Sequence, residues 1–219
     1  VVVSYGALGG HYCLQKMSFT NLFFNIPIVK DFLEGLRKVL PPIRRPAPPW
    51  ELNIVLSCLM QDPFESIHKA ALSWKAAFLV AITSARRVSE IQALYSHEPY
   101  TVFHSNRVVM RTHPKFLPKI ISDFHVNQTI SPPTFFQNLS TPAERTLHSL
   151  VVRRVIKFYL DKTREIRRSD QLFINYCPAH TGLATSKPSI SRWIVSCILL
   201  CYQKAGKTLL ARPKVSREP

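Results

Sequence analysis

Residues 75–94 read KAAFLVAITSARRVSEIQAL, and the fold turns on how this stretch is parsed. Ala76, Leu79 and Val80 fall on one face at helical spacing, and Phe78 and Ile82 widen the apolar stripe. Thr83 and Ser84 interrupt it, since both residue types favour caps and turns over helix interiors. A second stripe follows at Val88, Ile91 and Leu94. The reading is two buried helices joined by a corner, with Arg86, Arg87 and Glu90 between the stripes. An arginine buried at such a corner is costly without an anionic partner. Its simplest role is an ion pair from Arg87 to Glu90 across one turn, with no further function.

Working outward, residues 50–59 form a preceding helix with Trp50, Ile54, Val55 and Cys58 on one face, stopped by Asp62-Pro63. Before it lie five prolines in the nine residues 41–49, together with Arg44 and Arg45, which read as a stiff basic linker. Upstream, Pro27 opens a helix over 28–39, with Val29, Phe32, Leu33 and Leu36 on one side. After the corner the pattern changes. Thr101-Val102-Phe103 and Val108-Val109-Met110 are β-rich runs around a turn at 104–107, a hairpin that could extend through 119–121. Helical spacing returns at Leu147, Leu150, Val151, Val155 and Phe158, opened by Thr141, Pro142 and Glu144 as cap, first residue and first-turn acid. Residues 171–174 are a short extended piece. The final helix starts at Ser189 as cap and carries Ile190, Trp193, Ile194, Cys197, Ile198 and Cys201 on one stripe. Periodicity ends near Lys204. The fold class expected is mainly α with a small antiparallel β-sheet. Its domains are 1–40, the linker 41–49, a main domain 50–203 and an irregular tail 204–219.

The 219 residues carry 29 Lys+Arg against 13 Asp+Glu, a net charge of +16, with 46% hydrophobic residues. That balance calls for a polyanionic partner, most often nucleic acid; a basic ribosomal or membrane-surface protein would share the charge, and the partner expected here is double-stranded DNA. The basic residues are interleaved with apolar helix patterns, as on a folded basic surface. The candidates for DNA contact are Arg44, Arg45, Arg86, Lys115, Arg153, Arg154 and Arg192. Five cysteines without CxxC or Cys/His spacing argue against a disulfide framework and a zinc site. Cys197 and Cys201, four residues apart on an apolar face, read as core. No apolar run reaches the length of a membrane span.

The segment Thr83-Ser84-Ala85-Arg86-Arg87-Val88-Ser89-Glu90-Ile91 resembles the first arginine box of the tyrosine recombinases, the integrase superfamily. The pattern Arg-x-Ser-Glu-aliphatic places the family arginine at Arg87. The resemblance implies that Arg87 grips the scissile phosphate, that Glu90 supports it, and that a hairpin lysine protonates the leaving hydroxyl. Lys119 and Lys115 are the candidates, and Phe116-Leu117-Pro118-Lys119 favours Lys119. A guanidinium suits the task because it binds two phosphate oxygens and stays charged. The order of elements is also similar to that family, covering the end of a helical DNA-gripping domain and most of a catalytic domain. Phe32-Leu33-Glu34-Gly35-Leu36-Arg37, Pro48-Pro49-Trp50-Glu51-Leu52 and Ser169-Asp170-Gln171-Leu172-Phe173 look like recombinase segments of DIRS-type retrotransposons.

The resemblance implies DNA recombination and integration in the nucleus, with no cofactor, and self-association on DNA. It also implies a later His/Lys-x-x-Arg box, a His or Trp, and a tyrosine nucleophile. After Cys201 only Lys204-Ala205-Gly206-Lys207 and Lys214-Val215-Ser216-Arg217 come near that box, and His104-Ser105-Asn106-Arg107 matches by chance in a turn. Tyr202 continues the last helix and reads as a packed aromatic. The chain is therefore expected to be a C-terminally incomplete recombinase that binds DNA without cutting it. The other readings open at this point are a DNA-binding module with no catalytic history and a helical protein-interaction domain.

Overall fold

The computed structural model describes residues 27, 31, 35, 50–64, 69–119, 121–134, 139–209 and 213. The chain divides into two units, Val1–Pro46 and Ala47–Pro219. In the first, Pro27, Asp31 and Gly35 are helical. Arg44, Arg45 and the linker 41–49 lie outside the described residues, as do the side chains of the expected 28–39 stripe.

The second unit is mainly helical. Its helices are α1 Leu52–Leu59, α2 Lys69–Ser84, α3 Val88–Gln92, α4 Asp123–Asn127, α5 Pro142–His148, α6 Val152–Thr163 and α7 Lys187–Lys204. β1 Thr101–Phe103 pairs antiparallel with β2 Val108–Met110, with Thr101 opposite Met110 and Phe103 opposite Val108. The hairpin thus forms over the two expected runs. It does not continue as a strand at Lys119 or Ile121 (Ile120 is outside the described residues). Instead Ile130 makes a bridge to Met110, and Leu94 to Thr112. Gln171 and Ile174 make single bridges to Tyr95 and Ala184, so 171–174 is extended without becoming a strand of a sheet.

The helix α2 is the centre of the unit. It packs against α6 and α7, while α1 and α3 pack on α7. Ala76, Ala77, Leu79 and Val80 are almost completely buried, and from α7 so are Ile190, Ile194, Cys197, Ile198 and Cys201. Lys75 is also fully buried and donates to the Leu59 carbonyl at 2.7 Å, which ties α2 to the end of α1.

Several expectations need correction. Ile82 does not widen the buried stripe but is 37% exposed, because the face of α2 that reaches the core ends with Val80. Trp50 lies before α1, although it packs edge-on against Phe78. The helix expected through 147–158 is two helices. Three successive i→i+3 bonds, from Ser149, Leu150 and Val151, tighten and end α5. Val151 then turns extended, and it and Val152 are both buried. The N-terminal signature of α5 is as read: the Thr141 hydroxyl accepts from Glu144 N, and the Glu144 carboxylate accepts from Thr141 N at 2.8 Å. The cap of α7 is Ser186 and not Ser189, with Pro188 in the first turn. Beyond α7, Lys207 pairs with Glu51 at 3.6 Å, Leu209 packs on the core and Pro213 is buried. The start of the expected irregular tail is therefore fastened down.

Candidate nucleic-acid interface

The corner between α2 and α3 is built by side-chain hydroxyls. Thr83 Oγ1 donates to the Leu79 carbonyl at 2.7 Å and Ser84 Oγ to the Val80 carbonyl at 2.6 Å. Such bonds compete with the backbone ladder and favour an ending. Ala85 then takes a left-handed conformation, φ 51°, and α2 stops. Arg86 N donates to Ser84 Oγ at 3.3 Å. Arg87 is the N-cap of α3, with extended backbone, and its carbonyl accepts from Glu90 N and Ile91 N at 2.9 and 3.1 Å. Val88 and Ile91 anchor the short helix in the core.

This geometry overturns the expected placement of the arginines. Arg86, not Arg87, faces Glu90, at 3.7 Å, with both side chains 17% exposed. Arg87 is exposed instead of buried. The cause is the start of α3: a residue at the cap, with Val88 directed inward, has its own side chain directed out. Glu90 lies in the first turn of α3, where a carboxylate complements the helix dipole as well as facing Arg86. Arg87 is left as a guanidinium on a rigid base.

Lys115 and Lys119 are both exposed, in a turn and a bend that follow β2, and neither stands on the hairpin strands. This segment is linked to the far end of α3, because His113 N donates to the Ala93 carbonyl at 3.0 Å. Pro118 between them is buried and pins the loop. Two of the other basic candidates are engaged with backbone. Arg153 Nε donates to the His104 carbonyl at 2.8 Å, holding the hairpin turn to α6, and Arg154 reaches the Ser149 carbonyl at 3.4 Å. Arg192 is exposed on the first turns of α7, bonded through Nη2 to Ser189 Oγ at 3.0 Å. The His104–Arg107 string is the hairpin turn, closed by His104 N to the Arg107 carbonyl at 2.9 Å.

Tyr202 is 6% exposed, and its hydroxyl accepts from Glu51 N at 2.6 Å. It is a packed aromatic, as read. Cys197 and Cys201 are fully buried thiols beside Cys58, whose thiol burial pushes up to about 12. Hydrogen bonding to Cys197, then burial, raises that of Cys201 as well. These are core groups and not nucleophiles.

Arg167 is a basic residue whose role the sequence does not reveal. Its guanidinium bonds Thr163 Oγ1 at 2.8 Å and the Gln171 and Leu172 carbonyls at 2.5 and 3.2 Å, and sits over the Tyr159 ring. Burial lowers its pKa, opposed by the neighbouring Tyr159 and Tyr176. It fastens the extended 171–174 segment to α6. Nothing in the run Arg164–Asp170 distinguishes it from the exposed Arg164 and Arg168.

Among the described residues, no group of three or more His, Cys, Asp or Glu side chains could hold a metal ion, and no helix is long and apolar enough to cross a membrane. No family model, curated protein or solved structure shows a significant match to this chain.

Proposed function

We propose that the chain is a duplex-DNA-binding domain derived from a tyrosine recombinase of the retrotransposon type, which holds DNA without cutting it. The observation that carries the reading is the +16 charge on a chain with a buried helical core, which leaves the excess arginine and lysine for the surface. Arg87 is the phosphate-gripping arginine in this reading. An exposed guanidinium on the anchored α3 suits a phosphate that arrives from solvent, and the adjacent pair of Arg86 with Glu90 leaves Arg87 its full charge. Lys115 and Lys119 contribute positive charge from the loop joined to α3, and Arg192 from α7. The partner belongs to the nucleus, and protomers gather along the same duplex.

Cleavage needs a nucleophile aligned with a phosphate whose developing charge several donors stabilise together. Tyr202 offers no free hydroxyl for this, since it is buried and bonded to Glu51 N. Incubating the purified protein with nicked duplex substrates is expected to give a retarded complex that dissociates on denaturation. A covalent adduct that survives denaturation and disappears in Tyr202→Phe would reject the non-cleaving assignment. Absence of any complex at low salt would reject the DNA-binding reading itself.

A further inference from the structure

We propose that a cavity between α2, the 175–180 loop and the start of α7 binds a nucleotide unit, an unpaired base carrying a phosphate. The cavity has a volume of about 530 Å³, in the range of small-ligand sites. Trp74, Tyr176 and Trp193 line it together with Arg192 and His180, and none of its lining residues is an Asp or Glu. Planar aromatic groups beside a guanidinium, with no carboxylate, select a planar anion. The aromatic groups supply stacking surface that any base can use, and the guanidinium takes a phosphate in a fixed geometry.

The walls are held in place. The ring of Phe173, 99% buried, meets the Trp193 indole edge-on, at 6.4 Å between centroids and 79° between planes. Arg192 Nη2 is positioned by Ser189 Oγ at 3.0 Å. Ser189 and the cap Ser186 also line the cavity, so the N-terminal end of the 18-residue α7 adds partial positive charge on the same side as Arg192. The opposite wall is fixed by backbone. Asn175 N and Gly182 N exchange bonds with the Leu183 and Asn175 carbonyls, at 2.9 Å each, and Asn175 Nδ2 donates to the Ala184 carbonyl at 2.9 Å. A site walled by two tryptophans, a tyrosine and an arginine, on segments tied by these bonds, is preorganised for a ligand.

The site does not depend on the duplex-binding reading, because a free nucleotide satisfies it as well as an unpaired strand end. Titrating the full chain with deoxyadenosine 5′-monophosphate, with a short single-stranded deoxyadenosine oligomer, with deoxyadenosine and with inorganic phosphate, while following tryptophan fluorescence, tests it. Saturable quenching by the monophosphate and the oligomer, weak quenching by the nucleoside and none by phosphate is expected. Tighter binding of the oligomer assigns the source to a strand end, and equal binding to a free nucleotide. Arg192→Ala should weaken the monophosphate about tenfold, as loss of a charge-assisted contact does, while leaving the nucleoside unchanged. Ala70 is an exposed residue at the rim, so Ala70→Phe should fill the cavity without unfolding the chain and abolish quenching by both phosphorylated probes. No quenching by the monophosphate or oligomer, or unchanged affinity in Arg192→Ala, would overturn the site. Failure to retain duplex DNA with this quenching intact would instead count against the proposed function alone.

Discussion

Two left-handed residues hold two regions of this protein, and they are held in opposite ways. Ala85, φ 51°, makes the corner before α3, and Gly182, φ 83°, makes the turn that brings Leu183 and Ala184 back beside Asn175 and Ile174. At the corner, Ala85 is exposed and the geometry is imposed by its flanks: hydroxyl bonds from Thr83 and Ser84 on one side, Val88 and Ile91 in the core on the other. At the turn, Gly182 is buried, and a Cβ there would lie 1.9 Å from the Ile166 carbonyl oxygen. One conformation is enforced by packing at a distance, the other by a backbone that leaves no room. The first can carry a cost in strain. The second cannot accept another residue.

The difference can be broken first at the turn. Gly182→Ala should destabilise the protein by about 3 kcal/mol or more, because left-handed strain and a clash with backbone act together. A change in the denaturation midpoint of less than about 1 kcal/mol would mean that the Arg164–Ile166 turn moves aside freely. The corner should break from beneath. Ile91 is fully buried, and Ile91→Ala is expected to cost about 2–5 kcal/mol, read by urea unfolding. At Ala85 itself the sign reverses. Ala85→Gly relieves the left-handed strain while freeing the unfolded chain, so the net effect should lie within about 1 kcal/mol and favour the folded state.

The smallest expected effect concerns the cap of α5. The Thr141 backbone N–H and hydroxyl hold the Glu144 carboxylate below its ordinary pKa. A depressed folded pKa gives stability that is present above the unfolded value, near 4.3, and is lost as pH falls through the folded value. Glu144→Gln keeps the capping geometry and should flatten that acid loss. A mutant whose stability falls as steeply as the wild type below that range would remove Glu144 from the account.

How much was legible follows the same division. The two stripes, the break at Thr83-Ser84, the hairpin's two runs and its turn, and the α5 cap are local patterns, each written within a dozen residues. The placement of Arg87 was not legible, because a three-residue offset from Glu90 suggests a helical pair only if the helix has already begun. It begins at Val88, and Ala85 gives no sign of its left-handed φ. Lys75 inside the core, Arg167 as a strut and the tryptophan-lined cavity each depend on segments distant in sequence. Lys75 has no visible role in the sequence, because the Leu59 carbonyl that receives it lies 16 residues away. The cap of α7 is Ser186 where the apolar stripe alone suggests Ser189, and Pro188 in the first turn is a signal that the residues themselves do carry.

The central claim is that a duplex is held through exposed basic groups with Arg87 among them, and fluorescence anisotropy on a labelled duplex tests it most directly. Affinity should fall steeply as salt rises from about 50 to 200 mM, because each phosphate contact releases counterions. Arg87→Ala, a surface change, should leave the melting temperature nearly unaltered, weaken binding across all sequences and reduce the slope of log K against log salt by about one. Affinity that does not respond to salt would contradict the account. So would an Arg87→Ala slope equal to that of the wild type.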